Sequence, residues 1–269
     1  MTGAYDHLIT IFSPEGKLYQ VEYAHKAIRS ENLTSIAIRG KDCVVAVSEK
    51  KVPDRLIEPD TVKHIFTITP HIACLCTGIQ GDSRMLVYKA REKAAKYRFK
   101  NGVEIPVSYL ANLMAGETQF FTQYAYGRGY GTCLIFFSVD DEEGPQVHKV
   151  DPSGYTAGYY AATAGTKEVE TMAFLEKTLK LPERGRNNSV KDSLRLCLQA
   201  MQGAISRELQ GTDLEVCIAT RDDTCEDGFG KLQFMSAQDI DNELTEMVES
   251  GGLTEYLASR QEMDREDTN

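Results

Sequence analysis

The chain has 269 residues, of which 42% are hydrophobic, enough apolar surface for the core of one large or two small domains. Lys and Arg number 30 against 40 Asp and Glu, which gives a formal net charge of −10. Because such a surface repels phosphate backbones and anionic lipid, we expect neither nucleic acid nor a membrane as a partner. The apolar runs are far shorter than the roughly 20 residues of a bilayer span, so the sequence predicts a soluble intracellular protein.

The first predicted element is a helix that begins at Ser13-Pro14-Glu15, a cap residue followed by a proline and an acid suited to a first helical turn. Leu18, Val21, Ala24 and Ile28 then recur at helical spacing. This stripe predicts one apolar face on an otherwise polar helix. Residues 1–32 are therefore predicted to form an N-terminal tail and helix.

Short β-branched and apolar runs follow, and they predict antiparallel strands with helices in pairs between them. The first half contains predicted strands at 35–38, 44–47, 65–68 and 72–76, then helices at 86–97 and 107–121. The second half contains strands at 132–139, 146–150 and 155–163, helices at 167–179 and 189–206, strands at 214–220 and 232–235, and a helix at 240–247.

No linker interrupts this order, so residues 33–250 are predicted to form one domain, followed by a polar acidic tail at 251–269. Antiparallel sheets need an apolar cover on each open face, which paired helices can supply. We predict an α+β fold, a four-layer α/β/β/α sandwich of two antiparallel sheets between helix pairs, with an extra N-terminal helix. The seven cysteines, mostly in apolar runs, are expected to be reduced and buried.

Local motifs for chemistry are weak. Residues 78–83 resemble a phosphate-binding loop only superficially, because Arg84 and Met85 stand where Lys-Ser/Thr should follow, and a turn capped by Asp82 or Ser83 is favoured. The pair Cys74 and Cys76 lacks the second half of a zinc site. The acidic run 140–143 lacks the spacing of a calcium loop, and the histidines form no triad-like group. The sequence predicts no catalytic residue, no metal and no cofactor.

The most specific signal is the block from Tyr5 to Ala24, which contains an aromatic-Asp pair, Thr-x-Phe-Ser-Pro-x-Gly-Lys-Leu and Gln-Val-Glu-Tyr-Ala in register. This block closely resembles the N-terminal signature of α-type subunits of the eukaryotic 20S proteasome core particle. The resemblance continues at Glu49–Pro53, Gly144–Gly154 and Phe174–Lys177, and it is greatest to the iota type, also called alpha-6 or positional alpha-1. It therefore covers nearly the whole chain.

The resemblance implies the N-terminal-nucleophile hydrolase fold, which is the sandwich inferred above. In catalytic β-type chains of the family, a freed N-terminal threonine begins the first core strand. The comparable position here holds Leu33, residues 1–32 precede it, and Glu49 stands at the usual acid position. The resemblance therefore implies a scaffold without catalysis. The alternative is a stand-alone hydrolase of this fold that uses Thr2 or an unrecognised nucleophile.

As a family member, the chain is expected to join six other α-type subunits in a seven-membered ring, with β-type subunits below and regulatory particles above, in the cytoplasm and nucleus. It would support ubiquitin-dependent and other protein degradation by the assembled particle. The stripe formed by Leu18, Val21, Ala24 and Ile28 is expected to assist ring assembly. The pattern alone favours packing on the chain's own core, and one helix can do both.

A gate cluster is implied at Tyr5, Asp6, Pro14 and Tyr23, which in the family holds the N-terminal tails upright. Only four residues precede Tyr5, a reach of roughly 13 Å, so this tail is expected to be a minor gate element.

Three departures from the family pattern qualify the resemblance. His7 stands where arginine is usual. The activator-pocket lysine falls at His64 with Lys63 beside it, so docking is expected to be weaker or pH-dependent. Residues 128–131 read Arg-Gly-Tyr-Gly instead of Arg-Pro-Tyr-Gly, which is expected to loosen a turn.

Overall fold

The computed structural model describes residues 8–179, 188–205, 209–221 and 229–249. The predictions on Thr2, Tyr5, Asp6, His7, Cys225 and the tail at 251–269 fall outside these residues. The boundaries of the N-terminal, core and C-terminal regions remain predictions. Among the described residues, no helix combines the length and the apolar character needed to cross a membrane.

The described helices and strands follow the predicted order. They are, along the chain, α1 (Tyr19–Ser30), β1 (Thr34–Arg39), β2 (Cys43–Glu49), β3 (Ile65–Thr67), β4 (Ala73–Gly78), α2 (Gln80–Asn101), α3 (Val107–Gln123), β5 (Thr132–Asp140), β6 (Gly144–Val150), β7 (Thr156–Gly158), β8 (Ala161–Gly165), α4 (Glu168–Leu179), α5 (Val190–Ile205), β9 (Leu214–Thr220), β10 (Lys231–Phe234) and α6 (Ala237–Glu249).

The strands form two five-stranded antiparallel sheets, one in the order β10-β9-β2-β1-β8 and the other in the order β3-β4-β5-β6-β7. We call them sheet A and sheet B. Side chains alternate along β1, so that Ile36 and Ile38 pack under α4 and α5 while Ala37 faces sheet B. On β5, Leu134 and Phe136 pack under α2 and α3, and Ile135 faces sheet A. The predicted four-layer sandwich is therefore confirmed.

The core also accounts for the cysteines. The six described cysteines are free thiols in buried positions, as predicted. Cys74 and Cys76 lie under α2 and α3 with their sulfur atoms 3.7 Å apart.

The predicted start of the first helix is wrong. Gly16 adopts a positive φ of 75°, and its N–H donates to the carbonyl of Ser13 (2.8 Å). The Ser13 hydroxyl accepts the N–H of Lys17 (3.1 Å). A tight turn therefore closes over Ser13–Lys17, and α1 begins only at Tyr19, with Leu18 at the cap. The Ser-Pro-Glu signal indicated a turn instead of a helical end because Gly16 reverses the chain immediately afterwards.

The single strand predicted over 155–163 is also wrong. It consists of β7 in sheet B and β8 in sheet A. At the crossing, the Tyr159 N–H donates to the Val147 carbonyl (2.8 Å), and the Tyr160 carbonyl accepts the Arg39 N–H (2.8 Å). An extended segment can thus change sheets without a turn signal in its sequence.

The cap predicted for α2 is wrong as well. Ile79 is the cap residue, and Asp82 and Ser83 lie within the helix. The Asp82 carboxylate instead accepts two bonds from Arg128 (2.5 and 2.7 Å) and one from the Gly131 N–H (2.8 Å). Burial would raise the pKa of Asp82, but these donors lower it below its ordinary value.

Gly165 should be intolerant of any side chain. Its φ is 108°, and an added Cβ would lie 1.9 Å from the Leu33 carbonyl oxygen. We expect Gly165→Ala to lower the free energy of unfolding of the isolated chain by at least about 2 kcal/mol, measured by urea denaturation. The control is Gly116→Ala on exposed α3, where no atom lies within 4 Å; it should stabilise by about 0.5–1 kcal/mol. Equal effects of the two variants would contradict this prediction.

Candidate functional site

The end of the sandwich where β1 begins holds Leu33, the position that the resemblance compares with the nucleophile of catalytic chains. Leu33 directly precedes β1, and its side chain is only 5% exposed. Its carbonyl accepts the N–H of Thr166 (3.0 Å), and the register places Thr34 opposite Gly165. The nitrogen of Leu33 lies in a peptide bond to Asn32. The position therefore offers neither a hydroxyl nor a free α-amine.

The acid beside this position is held in an ion pair. Glu49 is buried at the end of β2, and its carboxylate lies 3.1 Å from the ammonium of Lys51. The same ammonium donates to the carbonyl of Asn32, the residue before Leu33. Lys51 thus ties the last residue of β2 to the chain that leads into β1.

Three hydroxyls between the sheets were not found by sequence reasoning. Ser35 Oγ lies 2.9 Å from Ser48 Oγ and accepts a bond from Thr77 Oγ1 (2.8 Å). All three side chains are completely buried. They contact one another instead of a histidine or lysine base, so the arrangement joins the two sheets and lacks the base that activates a serine or threonine.

A cavity of about 130 Å³ lies between α1 and the strand ends, and it is lined by Lys149, Glu168, Cys133 and Asp151 among others. Lys149 Nζ donates to the Thr163 carbonyl (2.8 Å) and to the Glu168 carboxylate. Burial lowers the pKa of Lys149, but Cys133 and Glu168 outweigh burial and raise it above its ordinary value. This amine therefore stays protonated and cannot serve as a general base.

The two activator-pocket candidates differ sharply in exposure. Lys63 is exposed, whereas the side chain of His64 is only 3% exposed. The ring atom Nδ1 of His64 lies 2.7 Å from Gln80 Nε2. The backbone N–H of His64 donates to the Glu215 carboxylate (2.6 Å). Burial, followed by the charge of Lys50, lowers the pKa of His64 to about 4. The imidazole is therefore neutral at physiological pH, and the docking roles expected for Lys63 and His64 stay predictions.

The stripe of the N-terminal helix is divided between the core and the surface. Ala24 and Ile28 are buried, and Ile28 belongs to the core between the sheets. Val21 is half-buried, as is Leu18 at the cap. The core-packing interpretation thus applies to the C-terminal half of α1, and the other half remains partly open.

The described members of the gate cluster lie near this open half. Pro14 is exposed within the Ser13–Lys17 turn. Tyr23 is exposed on α1, stacks on Tyr19 (6.4 Å between centroids) and has Lys26 Nζ 5.5 Å from its ring centre. Apolar side chains of the preceding segment are exposed as well, namely Leu8, Ile11 and Phe12. The turn and helix together present an apolar surface.

The segment 128–131 lies against this region. Gly131 is tightly packed, since an added Cβ would lie 2.7 Å from Ile79 Cδ1 and 3.2 Å from Ala27 Cβ. Gly129 has no atom within 4 Å of such a Cβ. The Arg128–Asp82 ion pair anchors the segment 128–131, even though residue 129 is a glycine.

The described residues contain no candidate metal site. There, no three His, Cys, Asp or Glu side chains are grouped closely enough to hold a metal ion. The absence of metal and cofactor stays a prediction.

Comparison with known proteins identifies the family. Residues 30–219 match the proteasome subunit family, and residues 5–27 match the N-terminal signature of its A-type subunits. The chain is 42% identical to the probable alpha type-1 proteasome subunit of Schizosaccharomyces pombe over 81% of its length and 88% of that protein. It is 39% identical to the alpha type-6 proteasome subunit of Caenorhabditis elegans over 83% of its length and 89% of that protein.

Identity extends to an archaeal relative, the alpha proteasome subunit of Methanocaldococcus jannaschii, at 34% over 81% of this chain and 80% of that protein. The names alpha type-1 and alpha type-6 agree with the predicted iota type. The chain therefore belongs to the α-subunit family of the proteasome core particle, whose members are generally non-catalytic components of the α ring.

Proposed function

We propose that this chain is itself without peptidase activity and acts as a structural and gating subunit of a ring of seven α-type chains. Six other α-type subunits complete the ring, β-type subunits lie below it and regulatory particles dock above it, in the cytoplasm and nucleus. The observation that carries the proposal is the sealed position at Leu33, which is apolar, buried and preceded by a continuous chain. Proteolysis then belongs to the assembled particle.

The surrounding groups support this proposal. Nucleophilic catalysis needs an accessible nucleophile, a base to activate it and donors for the oxyanion. Here the nearby hydroxyls are buried, the Lys149 amine is protonated and Glu49 is paired with Lys51. The stand-alone hydrolase gains no support from the described residues or from the relatives.

Ring assembly and gating are supported by the apolar surface at the start of the chain. Phe12 is 65% exposed, and Ile11 in the same segment and Tyr23 on α1 are exposed as well, although burial of such side chains is favourable. We propose that a neighbouring α-type chain covers this surface. Half-buried Val21 on α1 would lie at its border.

Activator docking is proposed to depend on Lys63. An exposed ammonium can pair with the C-terminal carboxylate of an activator, whereas neutral, buried His64 cannot supply that charge. A single exposed ion pair is weak, so this pocket is expected to contribute less than one with a partly buried lysine.

The sealed position yields a direct test. We expect Leu33→Thr to remain unlabelled by a hydroxyl-directed covalent proteasome inhibitor, because position 33 still lacks a free amine and stays buried. Mass spectrometry of the assembled particle measures the adduct, and the β-type chains of the same particle are the positive control. An adduct at position 33 of the variant would show that this position is not sealed, and an adduct on any residue of the wild-type chain would refute its assignment as non-catalytic. A native mass near the 30.0 kDa of one chain for the endogenous protein would refute the ring role.

The helix yields a second test. Val21→Asp should reduce incorporation of the chain into the assembled particle, because a charge at a half-buried position would be desolvated in the contact. Native mass spectrometry measures the incorporated fraction. Val21→Thr keeps a similar shape at the same position without adding a charge and is the control. Normal incorporation of both variants would argue against a contact at Val21.

The buried imidazole yields a pH test. The pKa of His64 is about 4 when folded and 6.5 in the reference state, so the unfolded chain binds the extra proton between these values and stability is lost as pH falls through them. From pH 7 to pH 5, the isolated wild-type chain should lose about 2 kcal/mol more unfolding free energy than His64→Gln. Subtraction of the two urea-denaturation series removes the contribution of other groups. Parallel pH profiles would show that His64 is not the buried neutral group described above.

A further inference from the structure

We infer that Glu215 is a positioning residue for the activator pocket: its carboxylate holds the backbone segment from which Lys63 projects. The inference rests on the docking role proposed for Lys63 and assigns a function to a residue that the sequence did not indicate. The signal available in the sequence was an acid inside an otherwise apolar strand, between Leu214 and Val216.

The contact joins the two sheets across a long stretch of sequence. Glu215 lies at the start of β9 in sheet A, opposite Ser48 of β2. Its Oε2 atom accepts the backbone N–H of His64 (2.6 Å) and the backbone N–H of Ile65 (3.2 Å). Ile65 begins β3, the edge strand of sheet B. One carboxylate oxygen therefore fixes two consecutive peptide units next to Lys63.

Backbone hydrogen bonds lie on the two sides of His64, next to Lys63. The strand β3 has only three residues, and a short 3-10 helix at Pro59–Thr61 precedes Lys63. On the sheet B side, the His64 carbonyl accepts the N–H of Cys76 (2.8 Å). The peptide unit between His64 and Ile65 is thus held from both sheets, by Glu215 through its N–H and by β4 through its carbonyl, whereas the unit between Lys63 and His64 is held by Glu215. An exposed lysine directly before this anchor acquires a defined backbone position.

The electrostatics match a positioning role. Burial raises the pKa of Glu215 above its ordinary value and outweighs the two backbone N–H donors and the charges of Lys50 and Lys63, which lower it. His64 faces the same space as a neutral imidazole. A buried carboxylate that accepts backbone N–H groups makes strong, directional bonds. Its role is therefore to orient the chain, and the charge that meets a ligand is that of Lys63.

If Glu215 served only to tie the two sheets together, its substitution would change the stability of the fold and leave the position of Lys63 unaffected. Glu215→Gln keeps the shape of the side chain and removes a charge whose burial is unfavourable, so the fold should tolerate it. The amide oxygen can still accept both N–H groups, but a neutral oxygen holds them more weakly than a carboxylate oxygen does. Stability should then change little while the position of Lys63 becomes less defined.

The experiment uses the assembled core particle that contains this chain. The probe is an acetylated apolar hexapeptide whose only carboxylate is its C-terminus, and its C-terminal amide is the negative control. Protection of Lys63 from acetylation by an amine reagent, read by mass spectrometry, reports occupancy at this pocket alone. The matched variant is Glu58→Gln, which removes an exposed carboxylate from the same segment.

We expect the free-acid peptide, and not its amide, to protect Lys63 in the wild-type particle. In Glu215→Gln the concentration for half-protection should rise about tenfold, as expected when two charge-assisted hydrogen bonds become neutral ones. Glu58→Gln should leave it unchanged. If Glu215→Gln fails to enter the particle, Glu215→Asp gives the same test, since the charge is kept and the shorter side chain cannot reach both N–H groups.

Two results would overturn the inference. One is an unchanged half-protection concentration in an assembled Glu215 variant. The other is a lack of protection of Lys63 by the free-acid peptide in the wild-type particle, because no docking would then exist for Glu215 to support. Neither result bears on the ring role, which is read independently from the mass of the particle.

Discussion

The close approach of β8 to the start of β1 fixes the backbone at the end of the sandwich, and the arrangement of the surrounding groups depends on it. The Leu33 carbonyl lies so near Gly165 that only a glycine fits there, and it accepts the N–H of Thr166. The backbone is thereby fixed at the position where a related hydrolase exposes its nucleophile. Because the chain continues through this point into α1, that end of the sandwich is closed by covalent structure as well as by packing.

The groups around the closed end follow from this constraint. Lys51 neutralises Glu49 and binds the carbonyl before Leu33, and Lys149 is paired with Glu168 beneath α1. These charges, which could assist catalysis in a hydrolase of this fold, are satisfied internally. The same chain presents Lys63 and the apolar turn around Phe12 to solvent. The groups exposed to solvent are thus distinct from the charges that are paired inside the sandwich.

Most of the fold could be predicted from the sequence, because apolar periodicity reports which faces are buried. The strands Val44–Val47 and 214–220 and the helix over 190–205 follow that pattern closely. Of the three errors, the turn at Ser13–Lys17 is local, because Gly16 reverses the chain within it. The crossing at Tyr159 and the bonds of Asp82 are set by tertiary contacts, which no local pattern contains.

The candidate site was predictable only in part, for the same reason. The block from Tyr5 to Ala24 indicated the family, and the count to Leu33 indicated the missing nucleophile. Exposure could not be deduced in this way, so His64 and Lys63 were treated alike although one is buried. Glu215 was missed because its partners lie about 150 residues away in the chain.

The crossing between β7 and β8 has a consequence for the order of folding. The described strands of sheet B lie within residues 65–158, a continuous middle portion of the chain. Sheet A instead joins β1 and β2 to β8 and β9, which are synthesised more than a hundred residues later. Closing such large loops is slow. On the ribosome, the hairpin that begins at Leu33 must therefore wait with one face uncovered, and this chain needs protection from aggregation until β9 emerges.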